Sequence, residues 1–174
     1  MKKLLSAGLL LMLLQSFASA QSHSSAWPGL NALLGDWVAS GSGKPGQGSG
    51  TFSFAYNLGD KIIIRKSRTD YPASGDKPAF THEDLLIIYD SYSGLPPKAI
   101  YFDNEGHTIN YTVSCSEDGK QIQFISDQFP NKSAYRLTYE FSDKNNMTIN
   151  FEISQDGKAE SFRSYVKGTA ERKK

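Results

Sequence analysis

Over most of its length the chain alternates apolar and polar residues with a period of two, the repeat of a β-strand that is half in and half out of a core. Phe52, Phe54, Tyr56 and Leu58 alternate with Thr51, Ser53, Ala55 and Asn57. Ile109, Tyr111, Val113 and Cys115 alternate with Thr108, Asn110, Thr112 and Ser114, and His107 stands in line with the apolar set. The same beat sets Ile122 and Phe124 against Gln121 and Gln123, and Tyr135, Leu137, Tyr139 and Phe141 against Arg136, Thr138 and Glu140. Met147, Ile149, Phe151 and Ile153 line up likewise against Thr148, Asn150 and Glu152. Two stretches, Ile62-Ile63-Ile64 and Leu85 to Ile88, are apolar on both faces, which predicts a second covering element on that side, such as the N-terminal segment. Lys98 to Asn104 leaves open whether Tyr101 and Asp103 or Ile100 and Phe102 point inward.

The punctuation between these runs is that of antiparallel hairpins. Gly59-Asp60, Glu105-Gly106, Asp118-Gly119, Lys144-Asn145-Asn146 and Asp156-Gly157 read as tight turns. The Gly/Ser/Pro-rich stretch from Gly41 to Gly50 and the segment Tyr71 to Ala79 read as longer loops. Trp27 to Leu34, with Pro28 suited to a first helical turn, reads as a short helix leading into a strand at Gly35-Asp36-Trp37. The last predicted strand runs from Glu160 to Thr169. Ten strands without room for crossover helices exclude a parallel sheet. The prediction is an all-β, antiparallel up-and-down β-barrel of about ten strands with a short N-terminal helix, and a two-sheet β-sandwich is the alternative. A Greek-key sandwich needs several long connections, whereas only Tyr71 to Ala79 has the length.

The first 20 residues stand apart from this pattern. Lys2 and Lys3, the apolar run Leu4 to Leu14, and Ala18-Ser19-Ala20 have the order of a cleavable signal peptide, with cleavage after Ala20. Residues 1–20 are therefore expected to be removed, leaving 21–174 as one barrel domain in the periplasm or secreted. No later stretch is long and apolar enough to span a membrane as a helix. Taking away 20 of 174 residues, two lysines and no acid among them, leaves 154 residues with 17 basic against 18 acidic side chains. Such a balance argues against a nucleic-acid partner, which calls for clustered Lys and Arg. The single cysteine, Cys115, allows no internal disulfide, so the core alone must hold the domain; its place in an apolar set predicts a buried thiol.

The opening Leu33-Leu34-Gly35-Asp36-Trp37-Val38-Ala39-Ser40-Gly41 resembles that of calycin-type barrels, in which a short helix leads into a Gly-x-Trp strand. In lipocalins the Trp plugs one end of the barrel under an arginine from a late strand, a role the resemblance gives to Arg172 or Arg163. The Gly/Pro loop, the aromatic second strand and His82 with Glu83 or Asp84 are closer to the nitrobindin-like branch, and the run from Ala99 to His107 resembles bacterial secreted lipocalin-like proteins. The resemblance implies a barrel that holds a small molecule. Nitrobindins bind haem through a His in the final strand, but here that region reads Glu160-Ser161-Phe162-Arg163-Ser164-Tyr165-Val166. Haem is thus not implied by the residues, and Tyr165, the one oxygen ligand available, is expected to face outward.

An interior of aromatic and aliphatic side chains with a few polar groups suits a small hydrophobic or amphipathic molecule. The candidate ligand-binding residues are His107, Tyr111, Tyr139, Tyr101, Phe124, Phe54 and His82. Three histidines without short spacing and one cysteine do not compose a metal site. His23 lies in the polar stretch after the signal peptide and carries no expected role. The one arrangement with catalytic potential is His107 with Asp103, an imidazole beside an acid that could orient it as a general base for a cyclase- or isomerase-type reaction. A barrel with a filled core, working through its surface, is the remaining alternative.

Overall fold

The computed structural model describes residues 27–44, 46–91, 94–129 and 132–174; the segment 1–20 that reads as a signal peptide and His23 lie outside them. Ten strands form one closed antiparallel barrel: β1 (Gly35–Gly43), β2 (Gly48–Asn57), β3 (Ile62–Tyr71), β4 (Phe80–Tyr89), β5 (Lys98–Asp103), β6 (Thr108–Cys115), β7 (Gln121–Ser126), β8 (Ala134–Asp143), β9 (Asn146–Ser154) and β10 (Arg163–Arg172). Each strand pairs with its sequence neighbours, and β1 closes the ring on β10 from Trp37 opposite Arg172 to Gly43 opposite Val166. Closure leaves no edge strand unpaired, the benefit that favours a barrel over the sandwich for this pattern. No described helix is long and apolar enough to cross a membrane.

The predicted helix is a 3₁₀ helix, Pro28–Leu33, with proline in its first turn. It closes one end of the barrel. Leu30 and Leu33 are buried, the indole Nε1–H of Trp37 donates to the Leu33 carbonyl at 2.8 Å, and the Tyr56 hydroxyl donates to Asn31 Oδ1 at 2.8 Å. Behind it the interior is filled by interlocking rings: Trp37 stacks on Phe52 and meets Phe141 edge-on, while Tyr139 is ringed by Phe52, Phe54 and Phe124 at centroid distances of 5.7–6.3 Å.

Four expectations need correction. The Gly41 to Gly50 stretch is mostly strand, because β1 runs to Gly43 and β2 starts at Gly48. Its glycines are required by close backbone approach: a Cβ on Gly43 would collide with the Tyr165 carbonyl, and one on Gly50 with the Arg68 carbonyl. Gly50→Ala is therefore expected to cost about 1–3 kcal/mol of stability in chemical unfolding, as overpacking does; an unchanged midpoint would refute it. The final strand starts later and ends later than its alternation suggests, because Ala159–Ser161 forms a 3₁₀ turn and β10 continues to Arg172. Cys115 is exposed at the end of β6, although its Sγ lies over Gly29 of the 3₁₀ helix, where burial pushes the thiol pKa up. Finally, the helix covers the end of the barrel and not the outer face of β3–β5. There Ile62, Ile64, Leu85, Ile87 and Ile100 are half-buried, with Ile64 opposite Ile87 and Ile87 opposite Ile100 across the strands.

Candidate functional site

Away from the 3₁₀ helix the barrel is hollow. Three adjacent strands narrow to glycine as they leave the filled end: Trp37, Ala39, Gly41 on β1, Phe54, Phe52, Gly50, Gly48 on β2, and Ala170, Gly168 on β10. The space so released joins a cavity of about 630 Å³ that opens among the β1–β2, β3–β4 and β5–β6 connections. Volumes of this order hold drug-sized molecules.

The cavity has two unlike sides. Arg65, Ser67 and Thr69 of β3, His82 and Asp84 of β4, and Tyr101 and Asp103 of β5 line one. Tyr135 and Leu137 of β8, Ile149, Phe151 and Ile153 of β9, and Tyr165 and Val166 of β10 line the other. In the ring of ten, β4 and β9 are five strands apart in either direction, so the polar and apolar walls face each other. Tyr135 stacks on Phe151 at 6.0 Å and Phe151 meets Tyr165 edge-on, which makes the apolar wall a continuous aromatic surface. Tyr165 therefore departs from the outward position that alternation predicts. It faces the cavity because the β9–β10 register slips between Ser164 and Val166, and such a bulge lets two consecutive residues turn the same way.

The deepest polar pair is Arg65 with Asp84. Arg65 Nη2 donates to Asp84 Oδ2 at 3.2 Å, with side chains 13% and 3% exposed, and the guanidinium sits 5.5 Å from the Phe52 ring centre. Burial works against the guanidinium charge, but Asp84 together with Tyr139, Tyr101 and Tyr111 outweighs it and the Arg65 pKa is raised. Arg65 Nε, Asp84 Oδ1 and the Tyr139 hydroxyl are buried with no hydrogen-bond partner. Burial likewise raises the pKa of Tyr101 and Tyr111 and pushes Tyr139 up to about 12, so all three remain neutral phenols at physiological pH.

Nearer the mouth a hydrogen-bonded chain runs across β4, β5 and the β5–β6 turn. His82 places Nδ1 2.8 Å from Glu105 Oε1 and Nε2 3.0 Å from the Tyr101 hydroxyl. Tyr101 donates to Asp103 Oδ2 at 3.1 Å, and His107 Nδ1 lies 2.9 Å from that same oxygen. The backbone N–H groups of Glu105 and His107 both donate to Asp103 Oδ1. Burial opposes ionisation of Asp103, yet the hydrogen bonds from His107 and Tyr101 win and hold its carboxyl below the usual carboxylate range.

The sequence-level candidates thus fall in three places. Tyr101, Tyr111 and His82 line the cavity, and the inward set of β5 is Ala99, Tyr101 and Asp103. His107, expected inside with Ile109 and Tyr111, stands at the rim with its side chain 63% exposed, because it belongs to the turn and β6 begins at Thr108. Phe54, Phe124 and Tyr139 belong to the interlocked rings of the filled end and do not border the cavity. Sequence reasoning missed Arg65 and Ser67, and it singled out Asp84 only as one of two acids beside His82. Of those two, Asp84 is the one that borders the cavity, 3.8 Å from His82 Nε2, while Glu83 pairs with Arg68 on the exposed face.

No protein-family model and no curated protein matches the chain. Among solved structures, the chain is similar to Rv2717c from M. tuberculosis at 15% identity and a TM-score of 0.57, over 84% of this chain and 98% of that one. It is also similar to the S-type phycobiliprotein lyase CPES from Guillardia theta at 14% identity and a TM-score of 0.50, over 82% and 89% of the two chains. At these identities the likeness is one of fold, an antiparallel β-barrel.

Proposed function

We propose that this protein is an exported binding barrel that holds a small hydrophobic or amphipathic molecule in its open half, outside the cytoplasm after cleavage following Ala20. The observation that carries the reading is the 630 Å³ cavity, walled on one side by Tyr135, Phe151 and Tyr165 and on the other by polar side chains. A barrel that existed only to be stable would fill this space, since unfilled interior forfeits dispersion contacts.

Nile red, a neutral dye whose emission shifts in apolar surroundings, tests the reading. It is expected to bind the mature chain at one site. Ser67→Trp, which projects a large ring into the cavity from β3, is expected to weaken that binding at least tenfold while leaving the circular dichroism of the barrel unchanged. Dye binding that ignores this substitution would place the dye elsewhere and end the reading. Mass spectrometry of organic extracts from natively purified protein then identifies what the barrel carries.

The haem ligand that the nitrobindin resemblance would place in the final strand is missing. β10 offers no histidine, and Tyr165, its one cavity-facing phenol, contacts the Phe151 ring. We therefore expect no Soret shift on adding haemin to the purified protein; a stoichiometric, saturable shift would reverse that expectation. A second reading, a barrel enzyme of cyclase or isomerase type, draws on one observation, the 2.9 Å contact of His107 with Asp103 at the cavity rim, with Tyr101 bonded to the same carboxylate oxygen. Recovery of the extracted ligand chemically unchanged after incubation with fresh protein would end it.

A further inference from the structure

The two walls of the cavity say more about the ligand than that it is amphipathic, provided that the cavity binds one as proposed. A head-and-tail amphiphile, such as a long-chain acid, is matched by a cavity with polar groups at one end and apolar groups along its length. Here the polarity is divided lengthwise. On β3, Arg65, Ser67 and Thr69 are successive inward residues, and two residues of strand advance about 6.6 Å. The polar groups therefore run from the floor toward the mouth, facing Tyr135 and Phe151 along the opposite wall. A molecule that satisfies both walls at once is flat, apolar on its face or far edge, and lined with hydrogen-bonding groups along one edge.

The floor fixes the charge of that edge. Arg65 and Asp84 already neutralise each other at 3.2 Å. An anionic group brought to Arg65 must also lie beside the Asp84 carboxylate, and a cationic group brought to Asp84 must lie beside the guanidinium, so neither sign gains from the pair. A neutral group carrying a donor next to an acceptor meets no such conflict. Both kinds of partner lie at the floor: Arg65 Nε–H is a donor and Asp84 Oδ1 an acceptor, each without a hydrogen bond and each just beneath the cavity surface, so that a ligand meets them only when the two side chains turn toward it, and both residues border the cavity. Buried groups of this sort discriminate strongly, because a ligand that lacks the matching atom leaves them unpaired away from water.

We propose that the ligand is a neutral, flat, conjugated molecule that presents an adjacent N–H donor and C=O acceptor, as in a lactam or cyclic imide, to Arg65 and Asp84, with its apolar face against Tyr135 and Phe151. The floor pair is a specificity element and not a counter-ion for a charged head.

Four bicyclic probes of similar size separate the possibilities: 2-quinolone, N-methyl-2-quinolone, 2-naphthoate and 2-(aminomethyl)naphthalene as its ammonium ion, each titrated against the mature chain by fluorescence, with Nile red in parallel. The expected result is that 2-quinolone binds at least tenfold tighter than each of the other three. Tighter binding of the naphthoate or the ammonium overturns the proposal in favour of a charged ligand. Equal binding of all four, or Nile red binding with none of the four, overturns it as well while leaving the binding reading intact. Absence of both Nile red and probe binding ends the binding reading itself. In the double variant Arg65→Met/Asp84→Leu, which strands no charge, the preference of 2-quinolone over its N-methyl derivative is expected to shrink to within twofold; a preference that persists places the recognition elsewhere. If that variant does not fold, the unsubstituted protein still decides: 2-quinolone and its N-methyl derivative binding within twofold of each other overturns the proposal.

Discussion

Asp84→Leu is expected to destabilise the protein by about 3–5 kcal/mol, because it leaves the Arg65 guanidinium charged and unpaired inside the barrel. Arg65→Met, which strands the Asp84 carboxylate, is expected to cost a similar amount. Removing both together, Arg65→Met with Asp84→Leu, is expected to return stability to within about 1 kcal/mol of the parent, since apolar groups of comparable volume replace a pair whose desolvation largely offsets its attraction. The pair makes one hydrogen bond, at 3.2 Å, and leaves Arg65 Nε and Asp84 Oδ1 unpaired, so it is not satisfied well enough to be a net source of stability. Guanidinium unfolding of the four proteins gives the coupling directly as a double-mutant cycle. A cycle in which the double variant is as damaged as the singles together would show that the two residues act separately. The expected outcome, a pair costly to break and neutral to replace, would mark one kept for something other than stability, as the proposed role at the cavity floor requires.

Why the pair escapes a reading of the sequence is a matter of strand parity. In β6, β8 and β9 one face is apolar and the other polar, so the alternation alone assigns sides, and Tyr111, Leu137 and Met147 are buried accordingly. In β3 and β4 both faces are apolar at one end of the strand: Ile62 and Ile64 flank Ile63, and Leu85 and Ile87 flank Leu86. Either set could be inside, and the charges at 65 and 84 then look like solvent-facing residues. Only burial of Ile63, Leu86 and Ile88 fixes the parity that brings Arg65 and Asp84 inward. The alternation also gives side without depth. Phe54, Phe124 and Tyr139 point inward as expected, but the register puts them at the filled end, below the cavity that Tyr101 and Tyr111 reach. Alternation misplaces Tyr165 for a third reason, since a bulge breaks the period of two at that point and no residue type announces it. By contrast the Gly-x-Trp opening locates both partners of the plug: Arg172 lies 4.2 Å over the Trp37 ring, while Arg163 instead donates to the carbonyls of Glu160 and Phe162.

That plug carries the second large effect. Trp37 has no exposed area; its ring touches Phe52 and Phe141, and Arg172 covers it while donating to the carbonyls of Ala32, Leu34 and Lys144. One side chain thus ties the 3₁₀ helix and the β8–β9 turn to the closing strands. Trp37→Ala is expected to cost about 3–5 kcal/mol, the range for truncating a large buried aromatic, because the cavity it leaves is walled by other rings that cannot collapse into it. Arg172→Met keeps the cover over the ring but strands the part-buried carbonyls of Ala32 and Leu34, while that of Lys144 is exposed, and about 2–4 kcal/mol is expected from losing these charge-assisted bonds. Both substitutions act at the closed end, with the Phe52–Tyr139 layer between them and the cavity. Under conditions where the variants remain folded, Nile red affinity is therefore expected to stay within twofold of the parent. A large loss of stability with binding kept would establish that the filled half holds the barrel shut while the open half is free to serve a ligand. Loss of binding in step with stability would mean that the ring layer does not insulate the cavity, and that the two halves of the barrel form a single mechanical unit.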